Sequence, residues 1–188
     1  MLTTLEVRWF ARGQPPTEVE HWFNADCPGE LMRTPEERED LYLYTPRCDY
    51  LNIKLRQGSL DVKWRKAQLG VRQFSKCWEG QVEQWLKWTC KDPDSQTMMP
   101  AEVMGKGPWI SVKKVRLQRQ YQAVSYELTQ LNVMDDDWWS MGFEAAIEQG
   151  EQFESFERVV TQVSQTYRGP ELSTEHSYAY PAWLCRVI

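Results

Sequence analysis

Polar and apolar residues alternate at period two in several stretches of this chain, the pattern of strands with one wet and one greasy face. From Thr4 to Trp9 the even positions are polar and the odd ones apolar. Asn52-Ile53-Lys54-Leu55-Arg56 repeats the pattern. After a Gln57-Gly58-Ser59 turn so does Asp61-Val62-Lys63-Trp64-Arg65, which predicts a hairpin. Val82 to Trp88 is a less regular strand candidate. Beyond a turn-rich linker from Lys91 to Pro108 come three more. Ser111 to Tyr121 carries Lys113, Lys114, Arg116 and Arg119; Ser125 to Leu131 puts Glu127 and Thr129 on one side. Trp138 to Glu144 sets Ser140, Gly142 and Glu144 against Trp139, Met141 and Phe143.

Helical signals are fewer. Pro16 to Phe23 is a short helix with Pro early, where its missing N–H is harmless. Thr34-Pro35-Glu36-Glu37 reads as a capping box that opens a second short helix. The clearest helix runs from about Glu151 to Tyr167, with Phe153, Phe156, Val159, Val160, Val163 and Tyr167 on one stripe. Gly169-Pro170 ends it. Roughly seven or eight strands, at most three helices and no βαβ rhythm predict a mainly β (α+β) fold, an antiparallel sheet closed into a barrel.

Composition narrows the picture without changing it. The chain has 188 residues, 41% of them hydrophobic, with ten Trp, eight Tyr and six Phe, and reads as one domain over residues 1–188. Its net charge of −5 disfavours nucleic acid and anionic membranes as partners. No apolar run is long enough to span a bilayer and the start lacks a signal-peptide pattern, so a cytoplasmic protein is expected. Five Cys in no Cys-x-x-Cys spacing read as reduced, mostly buried thiols, and two isolated His argue against a histidine metal site. Asp135-Asp136-Asp137 reads as a solvated loop, and the Trp138-Trp139 pair as core.

Charge placement carries the chemistry. The polar strand faces present Arg8, Lys54, Arg56, Lys63, Arg65 and Lys87, then Lys114 and Arg116, among Glu6, Asp61, Glu83, Glu127 and Glu144. Those faces are either the solvated outside of a sheet or the lumen of a barrel whose apolar side is covered by helices. Two details favour the lumen. The strong helix needs a greasy sheet surface to cover, and like charges repeated on neighbouring strands repel unless they hold an anion. Arg and Lys suit phosphate oxygens, and a few carboxylates opposite them suit Mg²⁺.

Thr4-Leu5-Glu6-Val7-Arg8 resembles a degenerate Glu-x-Glu-x-Lys signature of the CYTH, or triphosphate tunnel, family. Asp40-Leu41-Tyr42-Leu43-Tyr44-Thr45-Pro46 is similar to that family's Asp-x-Tyr-Tyr-Asp-Thr-Pro segment. Ile53-Lys54-Leu55-Arg56, Leu60-Asp61-Val62-Lys63 and Lys114-Val115-Arg116 resemble its basic strands. Glu127-Leu128-Thr129 and Met141-Gly142-Phe143-Glu144 stand where its later acidic strands fall, so the resemblance spans most of residues 4–147. It implies an eight-stranded antiparallel tunnel with a charged lumen and a small phosphorylated or polyanionic ligand. Arg8, Lys54, Arg56, Lys63, Lys114 and Arg116 would hold phosphate, and Glu6 and Glu144 would hold Mg²⁺ or Mn²⁺.

The departures bear on activity. Thr4, Thr129 and Ala146 stand where the family has carboxylates, and Arg8 replaces the signature Lys. A thinned carboxylate set weakens a metal site, and phosphoryl transfer depends on the metal more than binding does. Three functions follow as expectations: a Mg- or Mn-dependent phosphohydrolase, a non-catalytic binder of a triphosphate-like anion, and a lipocalin-type barrel holding an apolar ligand. The side-chain parity of Lys54 and Lys63 separates the third from the others.

Overall fold

The protein is described by a computed structural model covering residues 1–32, 34–56, 58–91, 107–147 and 152–188. Strand β1 (Leu2–Arg12) leads to a short helix α1 (Thr17–His21), which continues as a π-helical turn, Trp22–Asp26. After a two-residue strand β2 (Glu30–Leu31) come β3 (Glu36–Leu43), β4 (Leu51–Arg56), β5 (Ser59–Gln73) and β6 (Glu79–Lys91). Three further strands follow: β7 (Trp109–Tyr121), β8 (Val124–Val133) and β9 (Asp136–Ile147). Helix α2 (Gln152–Ser164), a 3₁₀ turn (Thr174–His176) and helix α3 (Tyr180–Val187) end the chain.

The sheet order is β2-β7-β3-β4-β5-β6-β1-β9-β8, and β8 pairs back onto β7. Eight antiparallel strands therefore close a barrel, while β2 extends the β3 edge of β7 opposite Arg119 and Gln120. Turn chemistry sets the β8–β9 register: Met134 and Asp135 both have positive φ, 50° and 65°, as a tight hairpin with right-handed strand twist requires. The acidic run beside it is exposed as expected, although Asp136 and Asp137 already belong to β9.

The barrel is inside out. Leu5, Val7 and Trp9 of β1, with Leu128, Met141 and Phe143, face outward into the larger of two apolar cores. Phe156, Val159, Val160 and Val163 of α2 cover them, with Val19, Trp22 and Phe23 from the N-terminal helical segment. That stripe is the one expected from the sequence. Arg119 also faces outward, where its guanidinium donates to the carbonyls of Phe23, Asn24 and Gly29, 2.7 Å each, and so satisfies the end of the π-helical turn.

A second core sits at one end of the lumen. Phe10, Tyr42, Val112 and Leu131 share strand faces with charged luminal residues and pack there against Trp183 and Leu184 of α3. Trp183 stacks on Phe10 with ring centroids 4.9 Å apart. The C-terminal helix thus corks that end.

Two expectations are corrected. Thr34-Pro35-Glu36-Glu37 opens strand β3 and not a helix, because Glu36 turns inward to Arg38 and Arg116 while β3 pairs along β7. The cysteines are not mostly buried: Cys27 is, Cys48 and Cys90 are partly so, and Cys77 and Cys185 are exposed. Helix α3 was not foreseen. The linker expected over residues 91–108 falls largely on residues 92–106, outside the described residues. Among the described residues no helix is long and apolar enough to cross a membrane.

Candidate functional site

Alternation along the strands delivers the polar positions to a cavity of about 300 Å³ inside the barrel. Eight Lys and Arg side chains line it against four carboxylates, Glu6, Glu83, Glu127 and Glu144. Arg8, Lys54, Arg56, Lys63, Lys114 and Arg116 are all brought to this wall. Ile53 and Val62 are not, so the parity that an apolar-ligand barrel needs is the opposite of the one found. Arg65 is the exception among the basic candidates. It does not line the cavity, and is held by Glu83 at 2.9 Å and Asp49 at 3.1 Å.

Around the lumen the charges are paired to different degrees. Arg8 reaches Glu127 at 2.8 Å, donates to Ser140 Oγ at 3.1 Å, and lies over the Tyr180 ring. Its guanidinium rests on the backbone of Gly142, where any Cβ would fall 2.4 Å from the guanidinium carbon. Glu127 also accepts from Arg116 at 3.1 Å. Burial alone would raise the Glu127 carboxyl, but Arg8 and Arg116 overcome it and hold the group well below the usual carboxylate range.

A second cluster centres on Asp40, which is fully buried. It meets Lys114 at 3.0 Å, Arg38 at 3.3 Å and Lys54 at 3.9 Å. Lys114 donates to Tyr42 Oη at 2.6 Å and sits 3.9 Å from the centroid of the Tyr180 ring. Glu36 also meets Arg38 at 2.9 Å and Asp61 lies 3.8 Å from Lys54, yet sharing Asp40 among three cations leaves the lysines undercompensated. Burial, then the neighbouring Lys114, outweighs the pull of Asp40 and pushes the Lys54 ammonium down to about 7. Burial likewise pushes Lys114 down to about 8.

Among the described residues Lys54 has no carboxylate closer than 3.8 Å, and Arg56 meets only Asp61, at 3.6 Å. Lys87 makes no ion pair among the described residues. These three side chains, from β4 and β6, are the donors that internal pairing leaves open.

Glu6 and Glu144 stand directly opposite each other across β1 and β9. Between them lies the Lys63 ammonium, 2.6 Å from Glu6 Oε1 and 3.0 Å from Glu144 Oε2. Thr4 donates to the same Glu6 oxygen at 2.6 Å. Burial opposes the charge on Lys63, yet Glu144 and Glu6 hold its pKa above that of an ordinary lysine. Both carboxylates expected to hold a divalent metal are thus committed to an ammonium. Among the described residues no three acidic, His or Cys side chains gather as a metal-holding group.

Arg38 and Tyr180 are luminal residues that the sequence pattern did not single out. Arg38 shares the inward face of β3 with Asp40 and Tyr42, a period-two signal hidden by the outward-facing Glu37 and Glu39. Tyr180 is carried in by α3 and has no strand pattern to announce it.

No family model matches the chain, and no curated protein matches it. Solved structures do resemble it. A candidate adenylate cyclase from Bacillus halodurans matches at 12% identity over 91% of this chain and 96% of that one, with a TM-score of 0.45. A chain of the Schizosaccharomyces pombe Mediator head module matches at 8% identity over 87% and 91%, also at 0.45. The S. pombe RNA triphosphatase Pct1 matches at 13% identity over 84% and 74%, at 0.42. These are distant likenesses of shape.

Proposed function

We propose that the chain is a divergent triphosphate-tunnel barrel that binds a triphosphate or another compact phosphorylated polyanion in its lumen, with phosphohydrolase activity weak or lost. The observation that carries this is the set of eight cationic side chains around a cavity of about 300 Å³, with no carboxylate nearer than 3.6 Å to Lys54, Arg56 or Lys87 among the described residues. That volume is at the small end of ordinary ligand pockets, near 300 Å³ to 1,000 Å³, and the wall is far more polar than most. Forked guanidinium and point-charge ammonium donors on facing strands fit the several oxygens of a polyphosphate from more than one side.

Support for binding over hydrolysis comes from the carboxylates. Thr4, Thr129 and Ala146 bring no charge, and Glu6 and Glu144 are engaged by Lys63. A metal-assisted transfer needs a cation to neutralise charge on the leaving oxygens and to position the nucleophile. The residues present do not fit such a metal as they are arranged.

Calorimetric titration of the full chain with tripolyphosphate in EDTA tests this. Saturable binding and a rise in melting temperature are expected, with no more than trace phosphate release when Mg²⁺ or Mn²⁺ is supplied. A chain that melts cooperatively yet neither binds nor is stabilised by tripolyphosphate at millimolar concentration, with or without metal, would sink the proposal.

A further inference from the structure

Glu6, Glu144 and Lys63 come from three different strands, β1, β9 and β5, and meet at the wall of the cavity. Two carboxylates placed opposite each other on neighbouring strands repel unless a cation lies between them. Here that cation is part of the chain. Lys63 in turn stands opposite Lys87 in the β5–β6 register, so without Glu6 and Glu144 it would face a like charge with nothing to offset it. The three groups therefore hold one another in place.

An ammonium has three N–H donors. Two are used by Glu6 Oε1 and Glu144 Oε2, which leaves one for an oxygen in the cavity that Lys63 lines. This is the division of labour of a carboxylate-bound divalent cation, anchored on the protein side and open to phosphate on the other. A dication added at the same carboxylates would sit within about 4 Å of a largely enclosed ammonium, where like charges repel. Thr4 spends its hydroxyl proton on Glu6, and the neutral Thr129 and Ala146 supply no replacement charge.

Resting on the phosphate-binding function above, we propose that Lys63 permanently fills the cation position of this lumen, so that the polyanion is held without any divalent metal. Glu6 and Glu144 are then positioning residues that act through Lys63.

The test pairs calorimetry with Mn²⁺ electron paramagnetic resonance on the full chain, as wild type, Lys63→Arg and Lys63→Met. Wild type is expected to bind tripolyphosphate in EDTA, with no gain from Mg²⁺. In ligand-free samples Mn²⁺ is expected to stay in solution with wild type and with the charge-keeping Lys63→Arg. Lys63→Met is expected to take up Mn²⁺ and to lose at least about tenfold in metal-free tripolyphosphate affinity. Wild-type binding that requires Mg²⁺, or Mn²⁺ uptake by wild type that Glu6→Gln abolishes, overturns the proposal. Should Lys63→Met fail to melt cooperatively, the wild-type EDTA titration and Mn²⁺ spectrum decide alone. Absence of tripolyphosphate binding under every condition would remove the function proposed above. The Mn²⁺ spectrum of ligand-free wild type would still judge Lys63, with uptake refuting its role and free Mn²⁺ upholding it.

Discussion

Asp40 is shared by Lys114, Arg38 and Lys54, and although Glu36 and Asp61 lend Arg38 and Lys54 some compensation, the two lysines stay under-neutralised. A lysine whose native pKa is depressed binds fewer protons folded than unfolded between that value and about 10.4. With Lys54 near 7 and Lys114 near 8, stability contributed by this cluster rises with pH through that window and falls as pH drops towards neutrality. The melting temperature of the free protein is therefore expected to decline from about pH 9 to about pH 6.5. Sulfate, whose charge is constant over that range, should stabilise more at the lower pH, because both ammonium groups are then charged. Equal sulfate shifts at both ends would count against the undercompensated lysines as anion donors. Gly142 makes a second residue-scale prediction. Its missing side chain is the space Arg8 occupies, so Gly142→Ala must displace the guanidinium from Glu127 and Ser140. A loss of roughly 1–3 kcal/mol in urea unfolding is expected, as for other overpacked sites. Weaker tripolyphosphate binding should accompany it.

Among the elements, those with one apolar face were legible in the sequence and those without one were not. Strands β1 and β9 alternate cleanly because their outward faces pack under helices while their inward faces meet charge; β4 alternates too, with an outward face that belongs to neither apolar core. Helix α2 announced itself through the same core, seen from the other side. Strand β3 has Glu36 and Arg38 inside and Glu37 and Glu39 outside, so no apolar rhythm marks it, and its opening mimics a helix cap. The candidate site was legible to the same depth. Parity placed Lys54, Lys63 and Arg116 in the lumen, but parity says nothing about which charges pair. That Lys63 would satisfy both Glu6 and Glu144 depends on how the barrel closes, bringing β5 across from β1 and β9. Helix α3 carried a weak signal, Tyr180, Trp183, Leu184 and Val187 at helical spacing after a proline-compatible start, within only eight residues. Its packing gives a firm expectation. Trp183→Ala, at a side chain with no exposed surface, should cost about 3–5 kcal/mol in chemical denaturation and open the corked end of the lumen.

At the scale of the whole molecule the net charge of −5 conceals a separation of sign: cations are gathered inside while the excess of carboxylates lies elsewhere. Closure of the sheet also removes both long edges, so none of the eight barrel strands can peel away without breaking ladders on two sides. Hydrogen exchange is expected to show the slowest amides in β1, β8 and β9, which pair on both sides and back the larger core. Faster exchange there than in β4, a six-residue strand with one buried side chain, would contradict that layout. The cork at the C-terminal end has a consequence for traffic. If the lumen takes a chain-like polyanion as proposed, α3 keeps it from threading through and sliding along as through a ring, so it docks terminus-first and backs out by the way it came.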